Sequence, residues 1–259
     1  MPIAAINGIN LNYSDTGGDG PAVVFSHGFL MDHSMFDRQV AALSPDYRVI
    51  TWDERGHGGT AATGPFSYWD SAKDVLGLLD HVGLERAVLA GMSQGGFLSL
   101  RAALLAPERV RALVLIDSQA GLEDPANAEP YEQLHQIWVD QGPGPVQDVV
   151  ASIILGPGQW DDWFAKWAAA DRDQFTLAFH TLNERDDITG RLGEIGCPAL
   201  VIHGTADAAI PMERAEQLRD GLGGQVSFHV VTDGTHASNV SHPEDVNEAV
   251  LNFLRTLGE

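Results

Sequence analysis

Ala87-Val88-Leu89-Ala90-Gly91-Met92-Ser93-Gln94-Gly95-Gly96-Phe97-Leu98-Ser99-Leu100 decides the reading of the fold. A short apolar run ends in Gly-Met-Ser-Gln-Gly, and a helix-like apolar run continues from it to Leu105. The order is strand, then G-x-S-x-G, then helix. A serine hydroxyl is a poor nucleophile unless the backbone presents it. A sharp strand-to-helix turn lifts such a hydroxyl clear of its neighbours and sets it at a helix N-terminus. The turn strains the serine backbone, so the residues two positions to either side must be small, a need that Gly91 and Gly95 meet. Alone, the pentapeptide reads as an ordinary glycine-rich turn. Its flanks and two residues downstream change that reading.

The first downstream residue is Asp207. Pro198-Ala199-Leu200-Val201-Ile202-His203-Gly204 is short, continuous and apolar, as a buried parallel strand is. A carboxylate just past the C-terminal end of such a strand sits where open α/β sheets gather ligands. A turn or cap aspartate is the plainer use of that residue. The second is His236, in the loop Thr232-Asp233-Gly234-Thr235-His236-Ala237-Ser238 between the strand-like run 225–231 and an amphipathic helix over 243–257. From that loop a histidine can return to the serine. The plainer alternative is a solvated loop histidine.

Two more segments complete the pattern. His27-Gly28-Phe29 follows the strand Ala22-Val23-Val24-Phe25-Ser26, and Asp53-Glu54-Arg55-Gly56-His57-Gly58 follows Tyr47-Arg48-Val49-Ile50-Thr51-Trp52. With them, the chain resembles the α/β-hydrolase superfamily along nearly its whole length. Within it, Phe25-Ser26-His27-Gly28, Met35-Phe36-Asp37, Gln39-Val40-Ala41-Ala42-Leu43 and His236-Ala237-Ser238-Asn239-Val240 resemble bacterial 3-oxoadipate enol-lactonases, esterases and cofactor-free haloperoxidase-like members. The resemblance implies a Ser93–His236–Asp207 triad, with an oxyanion hole from the backbone N–H groups of Phe29 and Gln94. It implies an α/β fold: a mostly parallel twisted sheet, helices on both faces and a small helical cap. Asp117, at the end of the strand-like run 110–116, is the rival triad acid. His27 and His57 read as structural histidines, and His242 as a surface one. Asp32 and His33 lie near the expected pocket mouth. Relatives that open epoxides or displace halide use aspartate at the position of Ser93, so serine argues against both chemistries.

Composition agrees with an enzyme. A chain of 259 residues can bury a sizeable core in one domain. Net charge is −21, from 36 acidic and 15 basic residues, which argues against nucleic acid and anionic membrane surfaces as partners. The acidic residues are scattered, as on a solvated surface. Cys197 is the only cysteine, so no internal disulfide and no cysteine metal cluster is expected. Neither a signal peptide nor a membrane helix is legible, and the cytoplasm is the expected compartment. No metal-ligand spacing, P-loop or dinucleotide fingerprint occurs, so no cofactor is implied. A homo-oligomer is compatible with the sequence.

Organisation follows from periodicity. Asn7-Gly8 predicts a hairpin joining 3–6 to 9–13. Strands then alternate with helices, the latter expected over 35–43, 68–82 and 95–105. From 120 to 191 the alternation stops and helical patterns dominate. This predicts a core over 1–119 and 192–259, with a helical cap over 120–191 inserted between two strands. Four of the six tryptophans fall in the cap. Trp160, Trp163 and Trp167 follow i, i+3, i+7 spacing on one predicted helix face. Leu30, Trp138, Trp160, Trp163 and Trp167 are the candidate pocket residues, and Phe164, Phe175 and Phe179 are possible additions. For the tryptophan face, packing of cap on core is the plainer role.

The expected activity is hydrolysis of a carboxylic ester or lactone, small to medium and partly apolar, through an acyl-enzyme on Ser93. Carbon–carbon hydrolysis of a diketone-like substrate, or a ligand receptor on the same fold, are the alternatives. An enol-lactonase substrate of dicarboxylate type calls for a basic pocket residue, for which Lys166, Arg172 and Arg185 are the cap candidates.

Overall fold

A computed structural model describes residues 1–122 and 124–258. Among these residues eight strands form one sheet: β1 Ile3–Ile6, β2 Ile9–Asp15, β3 Ala22–Ser26, β4 Arg48–Trp52, β5 Ala87–Met92, β6 Val110–Ile116, β7 Ala199–Gly204 and β8 Val226–Val231. Their spatial order is β1-β2-β4-β3-β5-β6-β7-β8. The β1–β2 and β2–β4 pairs are antiparallel and all the others parallel. Asn7 and Gly8 turn the hairpin with φ of 45° and 80°, the left-handed pair that a two-residue turn between twisted strands requires.

Among the described residues ten α-helices flank the sheet: α1 Asp37–Leu43, α2 Tyr68–His81, α3 Gln94–Leu105, α4 Ala128–Gln141, α5 Gln147–Ile154, α6 Asp161–Ala169, α7 Arg172–Asn183, α8 Met212–Gly221, α9 Ser238–Ser241 and α10 Pro243–Thr256. β3, β5 and β7 are buried at every position, because helices cover both faces. Successive residues of β5 alternate between two cores. Ala87 and Leu89 join Tyr68, Leu78, Phe97 and Leu218 on one face, while Val88, Ala90 and Met92 join Phe25, Phe36, Val250 and Phe253 on the other. The start of α2 is fixed by a capping box: Ser67 accepts from the Asp70 N–H, and Asp70 reaches back to Ser67.

The four helices α4 to α7 lie between β6 and β7. Among the described residues from 120 to 191 no strand occurs. One expectation is corrected. Trp160 precedes α6 as its N-cap residue, so the predicted face is shared only by Trp163 and Trp167. The indole of Trp160 folds back instead and donates to the Gly156 carbonyl at 2.9 Å. No helix among the described residues is long and apolar enough to cross a membrane.

Candidate active site

Ser93 joins β5 to α3 with φ 50° and ψ −115°, a conformation that L-residues rarely adopt. The turn is so tight that a Cβ on Gly91 would overlap the Gly95 carbonyl, and one on Gly95 would overlap the Ser26 carbonyl oxygen. Glycine is therefore needed at both places. Behind the turn, Ser118 Oγ donates to the Ser93 carbonyl at 2.8 Å.

Three loops at the C-terminal edge of the sheet meet here. His236 Nε2 lies 3.1 Å from Ser93 Oγ, and His236 Nδ1 lies 2.9 Å from Asp207 Oδ2. The other carboxylate oxygen of Asp207 accepts from the N–H groups of Ala209 at 2.8 Å and Ile210 at 2.9 Å. Burial opposes ionisation of Asp207. The charge and hydrogen bond of His236, with the Ile210 N–H, outweigh it and hold the carboxyl below its ordinary value.

Asp117, the rival acid, makes no such contact with His236. It is fully buried at the end of β6 with φ 47°. Its two oxygens accept from the N–H groups of Gly204 at 2.8 Å and Ser238 at 2.9 Å. It thus brackets the ends of the two segments that carry Asp207 and His236. Burial, then the charge of Asp207, raise its carboxyl well above the usual carboxylate range.

The segment after β3 faces the same point. His27 Nδ1 bonds the Gly28 carbonyl at 2.8 Å, and His27 Nε2 accepts from the Glu54 N–H at 2.9 Å. These partners assign the proton to Nδ1 and a neutral ring. Burial pushes the His27 pKa down, consistent with that state. The Met31 N–H also bonds the Gly28 carbonyl, at 3.1 Å. In a trans peptide the N–H points opposite to the C=O. Anchoring the Gly28 carbonyl therefore turns the Phe29 N–H away from His27. Neither that N–H nor the Gln94 N–H donates to a backbone acceptor among the described residues. Tyr68 Oη donates to Gln94 Oε1 at 3.1 Å and fixes the Gln94 side chain. His57 Nδ1 donates to the Arg55 carbonyl at 2.9 Å, and burial lowers its pKa to about 3, so its ring stays neutral within the turn.

Glu54 is fully buried behind this segment. Burial, then the Asp74 carboxylate, push its carboxyl well above the usual range. In the unfolded chain it ionises near its ordinary value, so stability falls as pH rises from that value toward the raised folded one. Glu54→Gln removes this loss. Urea unfolding at about pH 5 and about pH 8 is expected to show a decline in wild type that is smaller in the variant. Parallel pH dependence in the two proteins contradicts the assignment.

Ser93 and His236 open into a cavity of about 110 Å³, lined also by Phe29, Leu30, Met92, Trp138, Ile154, Phe175 and Ile210. Of the candidate pocket residues, Leu30 and Trp138 line it. Trp160, Trp163 and Trp167 do not. Trp163 lies beneath the Lys166 ammonium, 4.3 Å from the ring centroid, and Trp167 Nε1 donates to the Leu30 carbonyl at 2.7 Å. Trp163 and Trp167 instead line a separate cleft with Asp32 and His33. The sequence carries an indirect sign of Met92 and Ile210, which neighbour Ser93 and the Asp207 loop. It carries none of His135 or Leu134, which reach the cavity from α4.

The chain and its overall fold are similar to those of known proteins. Residues 21–153 match the family described as alpha/beta hydrolase fold, and residues 178–258 match a second model described as TAP-like protein. The chain belongs to the alpha/beta hydrolase fold family, and by that kinship it is a hydrolase. It is 28% identical over 251 residues to 3-oxoadipate enol-lactonase 2 of Acinetobacter baylyi, covering 93% of this chain and 92% of that one. The enol-lactonase from Burkholderia xenovorans LB400 superposes with a TM-score of 0.87 at 28% identity, over 98% of this chain and 100% of that one. A thermophilic esterase from Thermogutta terrifontis superposes with a TM-score of 0.88 at 27% identity, over 99% and 98% of the two chains.

Proposed function

We propose that this protein hydrolyses a carboxylic ester or lactone through an acyl-enzyme on Ser93. The observation that carries the reading is the unbroken chain Ser93 Oγ, His236, Asp207, with contacts of 3.1 Å and 2.9 Å, opening into a largely apolar cavity. Relatives named as enol-lactonase and esterase support it. Residues 120–191 act as the cap that roofs this cavity through α4, α5 and α7.

Ser93 Oγ attacks the acyl carbon while His236 Nε2 takes the hydroxyl proton. Asp207 keeps the proton of neutral His236 on Nδ1 and stabilises the imidazolium that forms. Charge gathers on the carbonyl oxygen, where the Phe29 and Gln94 N–H groups receive it. The Gln94 N–H adds the positive end of the α3 dipole. The carbon–oxygen bond then breaks, and His236 returns the proton to the leaving oxygen. In a lactone that oxygen remains attached as a hydroxyl of the acyl group. Water attacks the acyl-enzyme in the second half, gives its proton to His236, and Ser93 leaves as the hydroxyl.

Intact-protein mass after brief exposure to a fluorophosphonate tests this. One adduct in wild type, lost in Ser93→Ala, together with turnover of p-nitrophenyl esters or a lactone panel, is the expected result. A folded protein with neither label nor turnover contradicts it.

A further inference from the structure

We infer that the acyl half of the substrate is short, apolar and uncharged, and that Phe175 sets its length. This rests on the assignment of Ser93 as nucleophile.

Size comes first. The cavity over Ser93 measures about 110 Å³. A cavity of roughly 150 Å³ takes one benzene ring, and pockets for drug-sized ligands begin near roughly 300 Å³. An acyl chain of about four or five carbons therefore fills it.

Charge comes second. Among the described residues no lysine, arginine, aspartate or glutamate lines the cavity. All three basic candidates are held elsewhere. Lys166 is bound to Asp32 at 2.8 Å, Arg172 to the Val139 carbonyl at 2.7 Å, and Arg185 to the carbonyls of Gly121 at 3.2 Å and Leu182 at 2.6 Å. Besides His236, one other imidazole lines the cavity among the described residues: His135 stacks flat on Phe179 at 4.1 Å. Its Nε2 lies 3.3 Å from Thr176 Oγ1, whose own hydrogen goes to the Arg172 carbonyl, so His135 is the donor. A carboxylate on the acyl group would meet mostly apolar walls, with Tyr131 and His135 as polar lining residues but no lysine or arginine to pair with it, inside a protein of net charge −21.

The wall comes third. Leu30, Trp138 and Phe175 line this cavity and also the adjoining cleft of about 640 Å³. Phe175 stacks on Trp138 with centroids 4.7 Å apart and planes at 22°, and lies 5.9 Å from Phe29. Its ring thus closes the short cavity off from the larger cleft. Phe175 is a specificity-determining residue, since it bounds the acyl site without touching the reacting atoms.

The test is kcat/KM of the full chain on 4-nitrophenyl butyrate, decanoate and hemisuccinate. Butyrate is expected to exceed decanoate by about tenfold or more, because the surplus methylenes have no room. It is expected to exceed hemisuccinate by roughly a hundredfold or more, the penalty for an unpaired charge in an apolar site. Phe175→Ala joins the two spaces and moves the optimum to longer chains, with charge discrimination kept. Phe175→Leu shifts it the same way by less, and serves if the alanine variant does not fold. Wild type accepting decanoate or hemisuccinate as well as butyrate overturns the inference, as does an unchanged length profile in a folded Phe175 variant. The same ester ranking is read by calorimetric binding to Ser93→Ala protein. That readout needs no turnover, so a wrong nucleophile and a wrong cavity give different results.

Discussion

Ser93→Ala is expected to lower kcat by roughly a millionfold while leaving the fold intact. In the proposed mechanism serine and histidine act as one unit, so without Oγ no acyl-enzyme forms and His236 has nothing to activate. Only transition-state binding by the Phe29 and Gln94 N–H groups would remain. The fold survives because, among the described residues, the serine side chain hydrogen-bonds His236 alone, whereas the turn is held by its backbone. The Ser93 carbonyl keeps its bonds from Ser118 Oγ and the Gly96 N–H, and the Ser93 N–H keeps the Ile116 carbonyl. Turnover measured beside circular dichroism and the thermal midpoint separates the two effects. Activity within tenfold of wild type in the folded variant would remove Ser93 from the mechanism.

Asp207→Asn is expected to lower kcat by about ten-thousandfold. An amide in place of the carboxylate presents either an oxygen that no longer carries full charge or an NH2 that faces His236 Nδ1. The second case favours the tautomer with its proton on Nε2, which cannot accept from Ser93. Asp117→Asn should behave differently. Its two oxygens accept from the N–H groups of Gly204 and Ser238, and an amide nitrogen cannot accept either bond. One buried donor is orphaned, at a cost of about 1–3 kcal/mol in stability. Because those donors flank the segments bearing Asp207 and His236, some activity is lost too, but far less than ten-thousandfold. Kinetics and urea unfolding of both variants check this. A reversed ranking, with Asp117→Asn the more inactive, would move the triad acid to β6. The depressed carboxyl of Asp207 adds a pH signature. Its stabilisation is full above the unfolded carboxylate value and is lost as pH falls through the lower folded value. Asp207→Asn should accordingly flatten the acid limb of the stability profile.

The positions of Ser93, Asp207 and His236 were legible because each is defined locally, by a strand end followed by a loop. A parallel strand buried on both faces is a continuous apolar run, and its C-terminal end is visible where the run stops. The same locality exposed the Asn7-Gly8 hairpin, whose turn needs two left-handed residues whatever the sheet around it. Helical spacing misled at Trp160. Periodicity assumed that the helix had already begun, while the chain begins α6 one residue later and turns that indole onto Gly156. Trp163 and Trp167 do lie on α6, but that helix meets the core at Asp32 and Leu30 and so lines the neighbouring cleft.

Sequence alone determined the order of strands and helices, the strained serine turn, the residues able to form a proton relay and the acidic surface. All of these depend on contacts within a few residues or on composition. Tertiary structure alone decided that Asp207 rather than Asp117 touches His236, since both end neighbouring strands and only the loop paths differ. It also decided the size of the cavity over Ser93 and the lack of lysine, arginine, aspartate and glutamate among its described lining residues. Those depend on α4, α5 and α7, separated along the chain, converging on one point, and on where Lys166, Arg172 and Arg185 find their partners. Packing across such distances is fixed by the fit of whole side-chain surfaces, which no local spacing encodes.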